Sequence, residues 1–161
     1  RDWSSDVCSS DLYKFFKTLK LKTSLDIGLG WGQSAHAFLA AGGESCTSIE
    51  RDDNNHAEQW LEQEFPGKHT MLSGDTAEIA RTLTGPYDLV HIDGDHSYEA
   101  CLLDAVICLP LLAPHGVMVF DDYNTWPGVK RAVDELGLAF KSVPNHPNGG
   151  VYIKNDKTNK L

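Results

Sequence analysis

The sequence has no run of apolar residues approaching the roughly 20 that a helix needs to cross a bilayer, and no basic segment followed by an apolar stretch opens it. Neither membrane insertion nor export is expected. Positive charge is also short: 14 Lys and Arg stand against 23 Asp and Glu, a formal charge of -9 with a pI near 5.1. A phosphate backbone needs a basic face, so this balance argues against RNA or DNA as partner or substrate. The four cysteines, at positions 8, 46, 101 and 108, form no Cys-x-x-Cys pair and no Cys/His cluster at zinc spacing. If 98–109 is a helix, Cys101 and Cys108 lie about 10 Å apart along its axis. That exceeds the roughly 7 Å between Cα atoms that a disulfide spans. The cysteines therefore read as small buried hydrophobes in a reducing, cytoplasmic setting. Repeats, low-complexity tracts and linkers are missing too, and 161 residues at 41% hydrophobic are enough for one ordinary core but not two. Oligomeric state, including a homo-oligomer, stays open.

The opening twelve residues, RDWSSDVCSSDL, resemble one reading frame of a common short-read sequencing adapter. They are read as non-native, with native sequence upstream lost. The alternative is a genuine arm in which Ser10 or Asp11 caps the following helix. Leaving out Arg1, Asp2, Asp6 and Asp11 still gives a charge of -7 from Tyr13 onward, so the acidic balance does not depend on the choice. The expected domain covers 13–154, followed by a polar tail, 155–161, that frays.

What the sequence does contain is an alternation of short apolar runs ending in Gly or an acid with longer segments of helical period, the signature of βαβ units and a parallel sheet. Helices are predicted over 12–19, 34–41, 54–65, 75–83, 98–109 (ended by Pro110) and 128–136. Strands are predicted over 24–27, 46–50, 69–72, 87–92 and 117–120. The run over 87–92 has the continuous apolar character of a buried strand. Segments 139–143 and 151–153 flank a loop rich in Pro, Asn and Gly, 144–150, and form a terminal hairpin.

Residues 24–32, SLDIGLGWG, read as a strand running into a glycine-rich turn that opens a helix. Glycine is needed where φ is positive and a ligand approaches the backbone, and the helix N-terminus offers free N–H groups. Glu50 ends the second strand about 20 residues on, where an acid can accept from both ribose hydroxyls. A dinucleotide fingerprint would place its third glycine at position 33, which is Gln33, and no Gly-Lys-Ser/Thr follows. A pyrophosphate cradle and a P-loop are thereby disfavoured. Asp75 follows the third strand and makes an Asp-x-x-Glu capping box with Glu78.

Two strands expected to be neighbours both end in carboxylates: 91–99 reads HIDGDHSYE and 120–123 reads FDDY. Like charges gathered at the ligand-binding edge of a sheet repel unless a hard cation neutralises them. Asp93, Asp121 and Asp122 are candidate Mg²⁺ ligands. The competing role is that Asp93 and Ser97 punctuate the strand and cap the helix while Asp121 and Asp122 form a solvated turn. Simpler roles are also expected for His91 (packed in its strand), His36 (helix face), His115 and His146 (turns), Asp104 (polar face of its helix), Arg51 (solvated rim) and Trp31 (pocket wall or core cover).

The Asp-x-Gly-x-Gly-x-Gly segment from Asp26 to Gly32, together with Ile-Asp-Gly-x-His-x-Tyr-Glu and the later Asp-Asp-Tyr, resembles a family of small class I S-adenosylmethionine-dependent methyltransferases related to macrolide sugar O-methyltransferases. The resemblance covers most of 24–123. It implies a Rossmann-like three-layer α/β/α sandwich whose mostly parallel seven-stranded sheet carries an antiparallel last strand. It further implies S-adenosylmethionine held by Asp26, Gly28, Gly30, Gly32, Glu50, Asp75 and Asp93. The position of Asp75 resembles that of the acid or amide which class I methyltransferases place against the adenine amine, and this role can coexist with the capping box. In metal-dependent relatives, acids at Asp93, Asp121 and Asp122 bind Mg²⁺ and the histidine at His96 is the proposed general base. Relatives usually carry Pro-Gly-Gly before the fifth strand, where this chain has Pro114-His115-Gly116. The expected reaction is Mg²⁺-assisted methyl transfer to a small-molecule oxygen, with Asp93 and His96 as the catalytic residues. The alternatives are a metal-free methyltransferase with another acceptor and a non-catalytic adenosyl-binding fragment.

Overall fold

The computed structural model of the protein describes residues 7–52, 55–146 and 148–155. Seven strands form one sheet: β1 (Thr23–Ile27), β2 (Ser45–Glu50), β3 (His69–Ser73), β4 (Tyr87–Ile92), β5 (Leu112–Phe120), β6 (Phe140–Ser142) and β7 (Val151–Lys154). Their spatial order is β3-β2-β1-β4-β5-β7-β6. The first five run parallel, and β7 runs against both of its neighbours. This is the expected three-layer, mostly parallel sheet with its antiparallel closing strand.

Strand alternation sorts the side chains into two cores. Leu25, Ile27, Val90, Ile92, Met118 and Phe120 face one way, onto helices α5 (Tyr98–Cys108) and α6 (Pro127–Glu135). Leu89, Val117 and Val119 face the other, onto α1 (Val7–Leu19), α2 (Gln33–Ala40) and α3 (Asn55–Glu64). The short α4 (Thr76–Ile79) follows β3. Burying Phe38 or Leu25 contributes about 1.5–3 kcal/mol each, and both are at most 2% exposed. Cys46, Cys101 and Cys108 are free and buried, and burial pushes each thiol up to about 12. The Cys8 side chain lies outside the described residues.

Several boundaries differ from expectation, each for a local reason. Helix α1 starts at Val7 rather than at position 12; Leu12, Phe15 and Phe16 form its buried face, with the Phe16 ring edge-on to Phe38 at 6.1 Å between centroids. The helix predicted over 75–83 is α4 plus a 3₁₀ turn over Ala80–Thr82. Pro110, which has no N–H to donate, sits in a 3₁₀ turn after α5. Strand β5 begins five residues early and is irregular where Pro114 passes through it, its register against β4 shifting between Tyr87 and Leu89. His115 lies in that strand, at φ 66°, rather than in a turn. Asn155, expected to fray, donates its side-chain amide to the Ala113 carbonyl at 3.0 Å and exchanges backbone bonds with His115 and Gly116. Residues 156–161 lie outside the description. No described helix is long and apolar enough to cross a membrane.

Candidate active site

The carboxyl ends of the parallel strands are laced together one step beyond the sheet. Gly28 N–H donates to Ile49 O at 2.9 Å, Asp93 N–H to Ile27 O at 2.9 Å, Gly74 N–H to Glu50 O at 2.9 Å and Asp121 N–H to Ile92 O at 3.1 Å. All four loops therefore leave the sheet from one edge, where parallel α/β sheets take their ligands. A cleft of about 790 Å³ opens there, and Gly28, Gly30, Glu50, Asp75, Asp93 and His96 line it together. That volume lies within the range of small-molecule and cofactor sites. Gly28 has φ 87°, and a Cβ on it would collide with the Asp93 carbonyl oxygen. Only glycine lets the β1–α2 loop press against the loop after β4. Glu50 accepts from Gly30 N–H at 3.0 Å and Asp52 N–H at 3.2 Å, which fixes its carboxylate while leaving lone pairs toward the cleft. Asp75 caps α4, its Oδ1 accepting from Ala77 N–H at 2.8 Å. Only this half of the expected capping box is made among the described residues.

His96 stands at the far wall. Its Nε2 lies 3.3 Å from both Asp93 Oδ1 and Asp122 Oδ2, and its ring stacks on Trp126 with 5.2 Å between centroids. The backbone of Gly128, at the start of α6, packs so tightly under His96 that a Cβ there would strike the histidine's carbonyl oxygen. The Asp93 hydrogen bond, partly offset by burial, raises the His96 pKa above its ordinary value. Burial raises that of Asp93, against the pull of His96 and His91. Asp93, His96 and Asp122 present donor atoms within 4.8 Å of one another, and the buried Oδ1 of Asp122 has no hydrogen-bond partner. Two carboxylates, one with an unused buried oxygen, beside an imidazole form a donor set that fits a hard divalent cation.

Three predicted residues sit elsewhere. Asp26 is 2% exposed and turned beneath the loop, where its carboxylate accepts from Ser34 Oγ at 3.0 Å and contacts His91 Nδ1 at 2.8 Å. The reason is strand parity: Asp26 points to the opposite face from Leu25 and Ile27. Burial opposes a charge on His91, yet the bond to Asp26 and the charges of Asp26, Asp93 and Asp121 carry its pKa up to about 9. Gly32 is the αL residue capping α2 and packs on Ala57, Trp60 and Leu61 rather than lining the cleft. Asp121 is 6% exposed and meets His146 Nε2 at 3.2 Å, so it is not part of a solvated turn; His146 sits in a turn as expected, its N–H donating to Val143 O at 3.4 Å. Burial disfavours the Asp121 carboxylate, but His146 and His91 hold its pKa below the usual value. Trp31, 68% exposed, neither lines the cleft nor covers the core.

Residues 25–123 match the family model described as a methyltransferase domain. The chain belongs to that family. Among solved structures, this methyltransferase is similar in fold to an O-methyltransferase from Bacillus cereus in complex with S-adenosylhomocysteine, at 15% identity and TM-score 0.74, covering 91% of this chain and 80% of that one. It is similar to the O-methyltransferase TomG from Streptomyces achromogenes, involved in tomaymycin synthesis and solved with S-adenosylmethionine, at 19% identity and TM-score 0.71, covering 91% and 78%. It is also similar to the S-adenosylhomocysteine-bound methyltransferase PaMTH1 of Podospora anserina, at 17% identity and TM-score 0.73, covering 90% and 76%. No curated protein matches it.

Sequence reasoning missed part of the methyltransferase's cleft wall. Trp126 and Gly128 come from beyond the recognised motifs, and only the fold brings α6 back over His96. Arg51 and Asp95 rim the cleft. Asp104, expected on the polar face of its helix, is 8% exposed. A signal was available: Cys101, Asp104, Ala105 and Cys108 fall at i, i+3, i+4 and i+7, the spacing of the buried stripe.

Proposed function

We propose that the protein transfers a methyl group from S-adenosylmethionine to an oxygen of a small molecule, with Asp93 and Asp122 holding a divalent cation such as Mg²⁺ and His96 as general base. The observation that carries this reading is the single cleft that joins the glycine loop and Glu50 to Asp93 and His96. Charge supports it as well: Glu50, Asp75, Asp93 and Asp95 line the cleft against Arg51 and His96. Such a wall attracts a cationic sulfonium and repels a dinucleotide's pyrophosphate.

Glu50 accepts from the ribose hydroxyls, and the open loop around Gly30 passes the chain of the methionine moiety toward Asp93. Asp93 and Asp122 would hold the cation, which when bound would lower the pKa of a hydroxyl coordinated to it. His96, oriented by Asp93 and stacked on Trp126, takes the hydroxyl proton. The acceptor oxygen forms its bond to the methyl carbon as the carbon–sulfur bond breaks, and the electron pair stays on sulfur. In-line displacement needs mainly positioning, which the rigid strand ends supply. Asp121, committed to His146, supports the loop that carries Asp122 instead of binding the cation.

Turnover of S-adenosylmethionine is to be followed with catechol and sugar acceptors, with Mg²⁺ and with chelator. The reading predicts Mg²⁺-dependent O-methylation that Asp93→Ala plus Asp122→Ala abolishes. Undiminished, Mg²⁺-independent turnover in that double variant would remove the metal from the account, and intact binding without turnover on any acceptor would remove catalysis.

A further inference from the structure

Asp104 projects from α5 into the cleft wall, between Ala100 and Leu103 of its own helix and the loop of Gly94 and Asp95. Its residue is 92% buried by exposure of 8%, and it has no hydrogen-bond partner among the described residues. Its Oδ2 lies over Gly94, close enough that a Cβ on that glycine would come within 3.4 Å. A buried carboxyl without a partner costs stability and is rare unless something else uses it. Packing alone does not account for it, since the same helix face is otherwise Cys101, Ala105 and Cys108.

This part of the cleft has a lining suited to a purine base. Ile49, Ala77, Ala100 and Leu103 offer apolar surface for the faces of a flat ring, while Asp75 and Asp104 stand at its edges. With the ribose on Glu50, a base extends toward α4 and α5. We propose that Asp104 reads the adenine edge of the bound adenosyl group, its carboxyl accepting from the exocyclic amine and donating to the adjacent ring nitrogen. A protonated carboxyl has both an O–H donor and a free acceptor oxygen, matching that edge in a way an apolar side chain does not. Burial, with the charges of Asp75 and Asp95 nearby, pushes the Asp104 pKa up to about 7, so the donor form is populated near neutrality. Asn in its place would keep a donor and an acceptor.

The inference rests on the proposed adenosyl site, and calorimetric titration of the full chain separates the two. The probes are S-adenosylhomocysteine and its purine analogue lacking the exocyclic amine. Asp104→Leu is expected to weaken S-adenosylhomocysteine about tenfold, as lost polar contacts in a buried site do, and the purine analogue by no more than about threefold. Asp104→Asn should stay within about threefold of the native chain on S-adenosylhomocysteine. Because Asp104→Leu removes a buried polar group, its melting temperature without ligand is expected to match or exceed the native value, which excludes unfolding as the cause. Equal losses on both ligands, or no loss on either, would overturn the assignment of Asp104 while leaving the adenosyl site standing. A native chain that binds neither probe would overturn the site, and this inference with it.

Discussion

His96 has its Nε2 3.3 Å from two carboxylates and its ring flat against Trp126, so both its orientation and its proton affinity are set by neighbours. As the proposed base, His96 would contribute about 10²–10⁴-fold. His96→Ala should lower turnover by that factor while S-adenosylhomocysteine affinity, read by calorimetry, stays within about twofold; unchanged turnover would show that the proton leaves by another route. Asp104 makes a separate prediction about stability. Burial, with Asp75 and Asp95 nearby, pushes its carboxyl pKa up from 3.8 to about 7 in the folded chain. The folded chain therefore keeps a proton that the unfolded chain releases, and this contribution to stability falls as pH rises from about 4 to about 7, then levels off. Asp104→Asn should melt above the native chain at about pH 8, with the gap closing by about pH 4. A gap constant across that range would contradict the buried-carboxyl account. Both residues had sequence signals of different quality: His96 stood in a motif, whereas Asp104 was legible only to a strict count of helical spacing.

At the scale of elements, the site depends on loops that touch. Gly28 holds the β1–α2 loop against Asp93, and Gly28→Ala should weaken S-adenosylhomocysteine by at least about tenfold, since both its positive φ and its contact must give way. Affinity equal to the native chain's would show that the loops are not in register as described. Asp121 and His146 tie the end of β5 to the loop between β6 and β7, with side chains 7% and 0% exposed. Removing the histidine leaves the buried Asp121 carboxylate with the Asp122 N–H, at 2.7 Å, as its remaining hydrogen-bond donor among the described residues. His146→Ala should cost about 1–3 kcal/mol in denaturant unfolding, and a cost below about 0.5 kcal/mol would contradict the pairing. The parallel strands and their order of appearance were legible because apolar runs and Gly or acid terminators are local signals. Which face Asp26 and Asp121 occupy was not legible, because it turns on strand parity and on partners, His91 and His146, that lie 65 and 25 positions away in the chain. The early start of β5 was hidden by Pro114, which locally argues against a strand.

The molecule as a whole has a single polarised edge: the described strands carry two cores, and the loops leaving the parallel ones converge on an acidic cleft. Family and fold were readable from motif spacing, yet how α6 returns to wall the cleft with Trp126 was not, since that contact joins segments with no shared local pattern. The acceptor's identity belongs to surfaces that no motif marks. The most direct test is titration of the native chain and Glu50→Ala with S-adenosylhomocysteine and with NADH. Binding of S-adenosylhomocysteine that Glu50→Ala weakens at least about tenfold, with no binding of NADH, is the predicted result. Preference for NADH, or S-adenosylhomocysteine affinity indifferent to Glu50, would contradict the central claim.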